Sequence, residues 1–230
     1  MNEAWRDAKE RAWRAVEPVD EAYAAGRLDD AGWHDAMAAI VVPAYVGAET
    51  DEAGSGHSGT PDEWEYSRGI VAEAVRGETF LDVGCANGLL MESVHRWTGS
   101  EPFGLDISPE LAGLARRRYP HWAERIFVGN ALGWQPPRGF ETVRTGLEYV
   151  PAPRRRELVT HLLDRVVAPG GRLVIGKFNE EAERRSLEDE VVGWGFRIAG
   201  RAERPHRAEP RLVYRVFWID RGAAVNPRDR

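Results

Sequence analysis

The sequence predicts an α/β fold: a seven-stranded, mostly parallel sheet with helices on both faces and an N-terminal helical cap. Three observations predict it. Short apolar runs alternate with helical stretches from Thr79 onward, as in a parallel sheet covered on both sides. The first such run ends in a glycine turn that opens a helix, "TFLDVGCANGLL". Before it, residues 1–60 have helical periodicity and then a glycine-rich stretch, so a cap of residues 1–60 precedes a main domain of residues 61–230.

In the cap, Trp5, Ala8, Ala12 and Val16 recur at helical spacing until Pro18, which is expected to interrupt the helix. Trp33, Met37, Ile40 and Val41 form a second stripe before Pro43. "GAETDEAGSGHSG", residues 47–59, has no period and reads as a loop. Thr60, Pro61 and Glu63 form a capping box, and the helix they start should run to about Arg76, with Gly77 ending it. Strands follow at 79–83, 102–106, 125–128, 142–145 and 172–177. Helices are expected at 89–97, 109–119, 154–167 and 180–194, the last capped by Asn179. "APGG", 168–171, reads as a helix stop and tight turn. "GFRIAG" and "PRLVYRVFWID" form a terminal antiparallel pair.

Composition narrows the function classes. No apolar run approaches the roughly 18 residues that span a bilayer, and the first residues lack the apolar core of a signal segment. A single cysteine, Cys85, excludes an intrachain disulfide and a Cys-rich metal site, which fits a reducing, cytoplasmic setting. The six histidines show no metal-ligand spacing, so no metal is expected. A net charge of −6 gives no general attraction to nucleic acid and disfavours it as a partner, and the clusters at 116–118 and 154–156 read as solvated helix faces.

The glycine turn departs from the dinucleotide pattern. That fingerprint needs G-x-G-x-x-G with a pyrophosphate on the turn, whereas here Gly84 and Gly88 flank Ala86, and Asp82 ends the strand. An anion beside two phosphates is unfavourable. Asp106, ending the second strand, can accept hydrogen bonds from both hydroxyls of a ribose. A nucleoside with a cationic, phosphate-free tail suits both acids, and S-adenosylmethionine is such a compound.

"FLDVGCANG", "FGLDIS", "IFVGNAL", "VRTGLEYVP" and "APGGRLVI" together resemble the successive motifs of the class I S-adenosylmethionine-dependent methyltransferases. The likeness runs from about Glu73 to Lys177, more loosely to Asp220, and omits the first sixty residues. It implies a Rossmann-like sheet and S-adenosyl-L-methionine as cofactor. It implies that Asp82, Gly84, Cys85, Ala86 and Gly88 line the methionine end, that Asp106 binds the ribose, and that Ile107 packs on the adenine. Asn130, Ala131 and Leu132 would meet the adenine edge, and Thr145 and Gly146 would lie near the methionine amino group and the transferable methyl. Ala86 stands where the family has its middle glycine, and Asn130 where it has an acid. Cys85 reads as a small residue packing the turn rather than a reactive thiol.

Methyl transfer from a sulfonium is an in-line displacement that needs alignment, exclusion of water and, for poor nucleophiles, a base. The family's acceptor side points to Glu148 and Tyr149 as candidate catalytic residues, against the plainer reading that Glu148 faces solvent and Tyr149 packs. His57, or Ser58 beside it, is a third candidate if the glycine-rich loop folds over the site. Trp5, Trp13, Trp33 and Trp64 either line an aromatic lid or anchor helices to the core. The N/D-P-P-Y/F tetrapeptide linked with methylation of exocyclic or amide nitrogens is absent. The leading expectation is a small-molecule methyltransferase. The alternatives are a silent module that binds the cofactor or its demethylated product, an RNA methyltransferase, and an NAD-dependent oxidoreductase.

Overall fold

The computed structural model describes residues 3–57, 59–177, 187–207 and 212–222, with side chains from Arg14 onward. Seven strands form one sheet: β1 (Thr79–Val83), β2 (Glu101–Asp106), β3 (Ile126–Val128), β4 (Phe140–Thr145), β5 (Val167–Lys177), β6 (Gly200–Pro205) and β7 (Val213–Asp220). Their order is β3-β2-β1-β4-β5-β7-β6. The first five are parallel, while β7 runs antiparallel between β5 and β6. Strand order therefore reverses between β1 and β4, the place where open α/β sheets hold ligands beyond their carboxyl ends.

The helices are α1 (Glu3–Ala24), α2 (Asp30–Val46), α3 (Pro61–Arg68), α4 (Leu89–Thr98), α5 (Pro109–Arg118), α6 (Arg155–His161) and α7 (Leu187–Gly193). Both faces of the sheet are buried. Leu81, Val83, Leu105, Phe140, Val143 and Leu158 belong to the cluster on one side; Phe80, Ile70, Val71, Val94, Val174 and Val216 belong to the other. Every residue of β1 is buried, which explains why its sequence is nearly continuous in apolar character.

Several expectations change. Pro18 and Pro43 do not end α1 and α2; both lie inside continuous helices. The capping box is present: the Thr60 hydroxyl accepts the Glu63 amide at 3.3 Å, and the Glu63 carboxylate accepts the Thr60 amide at 2.8 Å. The helix it starts is α-helical only to Arg68 and tightens into a 3₁₀ helix over Gly69–Ala74. The stretch expected as one helix at 154–167 is α6 followed by a π-helical turn, Leu162–Val166. "APGG" lies within β5, whose register against β4 shifts between Phe140 and Thr142 around Gly170 at φ 77°. The loop 47–59 holds a 3₁₀ turn, Ala53–Ser55. The expected Asn179 cap and Ser58 lie outside the described residues, as do the side chains of Trp5 and Trp13.

The cap helices are tied together and to the core by polar contacts. The Trp33 indole donates to Asp20 at 2.8 Å, and the Tyr23 hydroxyl donates to Asp30 at 2.7 Å. Arg154 pairs with Asp30, and Trp33 is buried. Trp64 is also buried and packs against Trp97, so these two tryptophans anchor helices.

Phe140 is fully buried, its ring centroid 4.9 Å from that of Phe103. Phe140→Ala should lower stability by about 3–5 kcal/mol through lost transfer energy and a cavity. Val192→Ala, at a half-exposed position, should stay within about 0.5 kcal/mol. Chemical denaturation of the two variants checks both.

Candidate active site

The turn from β1 into α4 is closed by its own hydrogen bonds. Gly84 and Cys85 donate their amides to the Leu105 carbonyl at 2.7 and 3.1 Å, and Gly88 donates to Cys85 O at 2.8 Å. Leu89 donates to Asn87 Oδ1 at 3.1 Å. Ala86 donates to Asp106 Oδ2 at 2.8 Å. Gly84 and Gly88 take φ of 77° and 82°, and Ala86 takes 46°, the only positive φ at a non-glycine among the described residues. The departure at Ala86 thus places a Cβ in the left-handed region, at a cost of about 1 kcal/mol. The Asp106 hydrogen bond offsets that strain.

Asp106 is nearly buried. Its Oδ1 accepts the Ser108 amide at 2.9 Å while Oδ2 holds Ala86. Burial pushes its pKa up, and the Ser108, Ala86 and Ile107 amides oppose the rise. Each oxygen keeps a second lone pair, so the group fits a ribose diol while clasping the turn. Ile107 follows at 42% exposure, an apolar face at the end of β2 as a packing surface for a purine requires. Asn130 is exposed, and its amide oxygen accepts the Leu132 amide at 3.0 Å, which shapes the turn through Ala131. Cys85 is buried against Gly104, where a Cβ would meet its sulfur at 2.8 Å, and burial raises its thiol pKa well above the ordinary range. These features make it a packing residue.

The methionine end differs from the expectation of a bare carboxylate. The register aligns Asp82 with Arg144 on β4, and the guanidinium donates to Asp82 Oδ1 at 3.3 Å. Their exposures are 1% and 4%. The same guanidinium donates to the Tyr149 hydroxyl at 2.9 Å. Tyr149 lies over Gly84, where a Cβ would come within 2.6 Å of the ring, so glycine there serves the close approach as well as the positive φ. Burial lifts Asp82 to about 6, with Arg144 opposing; burial raises Tyr149 above its ordinary range, so it stays a neutral phenol. Arg144 stays charged: burial pulls it down, and Tyr149, Asp82 and Glu148 outweigh that pull.

At the exit of β4, Thr145 and Gly146 are buried, and the Thr145 hydroxyl donates to Gly146 O at 2.8 Å. The Glu148 carboxylate folds back onto Gly146, leaving no room for a Cβ there, although the residue as a whole is exposed. Glu148 and Tyr149 therefore lie together with Asp82. His57 lies elsewhere: its neighbours are Glu63, Arg68 and His206, and its Nε2 is buried with no hydrogen-bond partner among the described residues. Burial and Arg68 hold it down at about 4, so the imidazole is neutral.

Four residues of the site were not foreseen: Arg144, Arg68, Tyr45 and Asn87. An arginine inside an apolar strand is itself a signal, since buried charges are paired. Arg68 is buried at the end of α3 near Arg144, Tyr149 and Tyr45, and burial followed by Arg144 lowers it to about 10. A separate open groove of about 500 Å³, lined by Leu132, Pro153, Arg156 and Thr160 among others, runs along α6. Neither Asp82 nor Asp106 lines it.

A positive-φ turn thus lies at the switch point of a doubly wound sheet, with an acid closing the neighbouring strand, the place where sheets of this kind bind nucleotides. Residues 80–171 match a family model described as a methyltransferase domain. A ubiquinone biosynthesis O-methyltransferase of Xanthomonas euvesicatoria pv. vesicatoria is 33% identical over 126 residues, 51% of this chain and 49% of the relative. The chain thus spans about half the length of that curated relative. Two solved structures share the fold. The N-methyltransferase NodS of Bradyrhizobium japonicum, in complex with S-adenosyl-L-homocysteine, has a TM-score of 0.56 at 16% identity, covering 79% of this chain and 96% of its own. The cyclase SpnF has a TM-score of 0.59 at 15% identity, covering 82% and 93%.

Arg144→Met should leave Asp82 buried without its counter-charge and cost about 3 kcal/mol at pH 8. Asp82 already has a folded-state pKa above its unfolded value, so its contribution is present at low pH and lost as pH rises through about 6. Removing the arginine raises that pKa further. The variant's deficit should therefore be clearly larger at pH 8 than at pH 5 in denaturation measurements.

Proposed function

We propose that the chain is an S-adenosyl-L-methionine-dependent methyltransferase acting on a small-molecule acceptor in the cytoplasm. The observation that carries the cofactor choice is the engagement of the turn's amides. Gly84, Cys85, Ala86, Gly88 and Leu89 all donate within the protein, and Ala86 donates to a carboxylate. A pyrophosphate needs such N–H groups free and no anion among them. A dinucleotide is therefore disfavoured, and a phosphate-free nucleoside suits the site. No helix among the described residues is long and apolar enough to cross a membrane, and no group of side chains there could hold a metal.

In this reading Asp106 holds the ribose diol, Ile107 and the Asn130–Leu132 turn flank the adenine, and Asp82, Arg144 and the Gly84–Gly88 turn border the methionine end. The cofactor supplies an electrophilic methyl on a sulfonium, whose leaving group departs neutral. The protein must align the acceptor and exclude water. Of the three candidate catalytic residues, Glu148 suits proton removal best: its carboxylate lies on Gly146 at the exit of β4. Tyr149 is held neutral and orients through Arg144. His57 borders Arg68 and belongs to the closure of the cap. The name of the curated relatives favours an oxygen nucleophile on a small acceptor.

Calorimetry should show S-adenosylmethionine binding and no comparable heat with NAD. Asp106→Ala should weaken binding at least tenfold by removing the diol partner and loosening the turn. Tight NAD binding with no response to S-adenosylmethionine would overturn the reading. With methyl-labelled cofactor and fractionated lysate, label should pass to the small-molecule fraction. Once an acceptor is in hand, Glu148→Gln should lower turnover by roughly 10²-fold or more where the acceptor must lose a proton, with S-adenosylhomocysteine affinity unchanged.

A further inference from the structure

Helix α2 carries no polar side chain from Ala36 to Ala44, a run that reads "AMAAIVVPA". A helix apolar all round belongs in a core, yet every residue of this run is half-buried or exposed. The position of the helix gives the reason. At its start Asp30 pairs with Arg154, His34 Nδ1 donates to Asp30 O at 2.7 Å, and the His34 ring is also hydrogen-bonded to the Tyr149 backbone. That end stands over the exit of β4. At its finish Gly54 is wedged between Tyr45 O and the Asn87 amide, which a Cβ there would meet at 3.3 and 2.8 Å, and Asn87 donates to Asp51 O at 2.7 Å. That end stands over the glycine turn after β1. Helix α2 therefore bridges the two strands between which the order reverses, above the crevice that holds ligands in such sheets.

Spacing decides which side of α2 faces that crevice. His34, Ala38, Val41 and Tyr45 recur at intervals of four, three and four, which is one stripe of an α-helix. Both ends of the stripe touch protein below: His34 meets the Tyr149 backbone, and the Tyr45 hydroxyl packs on Gly56. Helix α1 lies along another side, because Trp33, whose indole donates to Asp20, is turned about 100° from His34. Ala38 and Val41, between the anchored ends, thus face the crevice, and both are only half-buried. Beneath them lie the Tyr149 ring on Gly84 and the buried Thr145 and Gly146.

We propose that Ala38 and Val41 roof the acceptor pocket, and that the acceptor is an uncharged, apolar small molecule held by the burial of its hydrocarbon. The inference rests on the cofactor reading above. With the methyl delivered at the exit of β4, the reacting group of the acceptor lies toward Glu148 and its body lies under α2. A charged body would lose its hydration there and find no partner on Ala38 or Val41, whereas hydrocarbon gains by leaving water. The apolar run of α2 then has its cover in the ligand.

The test is calorimetry of the full chain loaded with S-adenosylhomocysteine, on wild type, Val41→Asp and Val41→Thr. The probes are para-alkylphenols from methyl to butyl, and para-hydroxyphenylpropionate, in which a carboxylate ends a chain of similar length. Wild-type affinity should rise about threefold with each added methylene, and the carboxylate should bind at least about tenfold more weakly than butylphenol. Val41→Asp should weaken butylphenol at least about tenfold and change S-adenosylhomocysteine less than about twofold. Val41→Thr keeps the side-chain shape and should move butylphenol in the same direction, which reads the roof even if Val41→Asp fails to fold. Affinity independent of chain length, no phenol binding to the loaded wild type, or tighter binding of the carboxylate overturns the inference and leaves the cofactor reading standing. Equal weakening of phenol and S-adenosylhomocysteine in the variants would mean that Val41 only packs the cap, and overturns it as well. A wild type that does not bind S-adenosylhomocysteine overturns the cofactor reading, and the inference with it.

Discussion

The hydrogen bond from the Ala86 amide to Asp106 is the constraint on which the site depends. It joins the end of β2 to the middle of the turn after β1, and it holds a non-glycine residue at positive φ. It is possible because β1 and β2 pair in parallel and in register, Val83 beside Leu105, so both chains leave the sheet at one level. The Leu105 carbonyl then receives Gly84 and Cys85, and the turn closes without any ligand. A turn built this way is preorganised for a nucleoside's sugar and poorly suited to phosphates, so ligand class follows from where the amides point.

Arg144 adds a second constraint at the adjacent strand. The sequence suggests that Asp82 alone selects a cationic ligand, yet in the fold the carboxylate is paired with a buried guanidinium. Polarity at the methionine end is therefore a property of the pair and of Tyr149, which the guanidinium also holds. Such an arrangement suits a zwitterionic tail, since both signs of charge are present within one buried cluster. Selection against phosphate then rests more on Asp106 and the engaged amides than on Asp82.

The strands, their parallel course and the two glycine positions were legible in the sequence because they depend on local pattern: buried runs, helix caps and turn residues. What was not legible depends on register or on packing. Arg144 meets Asp82 only because β4 lies beside β1, and no local signal states that alignment. Pro18 and Pro43 were misleading because their helices continue through them despite the lost amide. "APGG" has turn composition, and yet ladder pairing on either side of its irregularity keeps it in β5. The candidate cofactor positions Ala86, Asp106 and Ile107 could be named from motif spacing, whereas the placement of Tyr45 could not, because the cap has no such motif and that placement depends on how the 53–56 turn lies on Asn87.

That division has a chemical meaning. The matched segment begins at residue 80, and the groups proposed to border the ribose and the methionine end all fall within it. Tyr45, Trp64 and Arg68 precede it, on α2 and α3, and Arg68 lies buried near Arg144 and Tyr149. The sheet supplies a generic place for the nucleoside, so what distinguishes one such protein from another must come from what covers it. Here the cover is fastened to the ligand turn by Asn87 and to α5 by the pairing of Asp51 with Arg118. A cover held at those points cannot shift without disturbing the turn beneath it, and the acceptor's identity is therefore to be sought in the cap's side chains rather than in the core motifs.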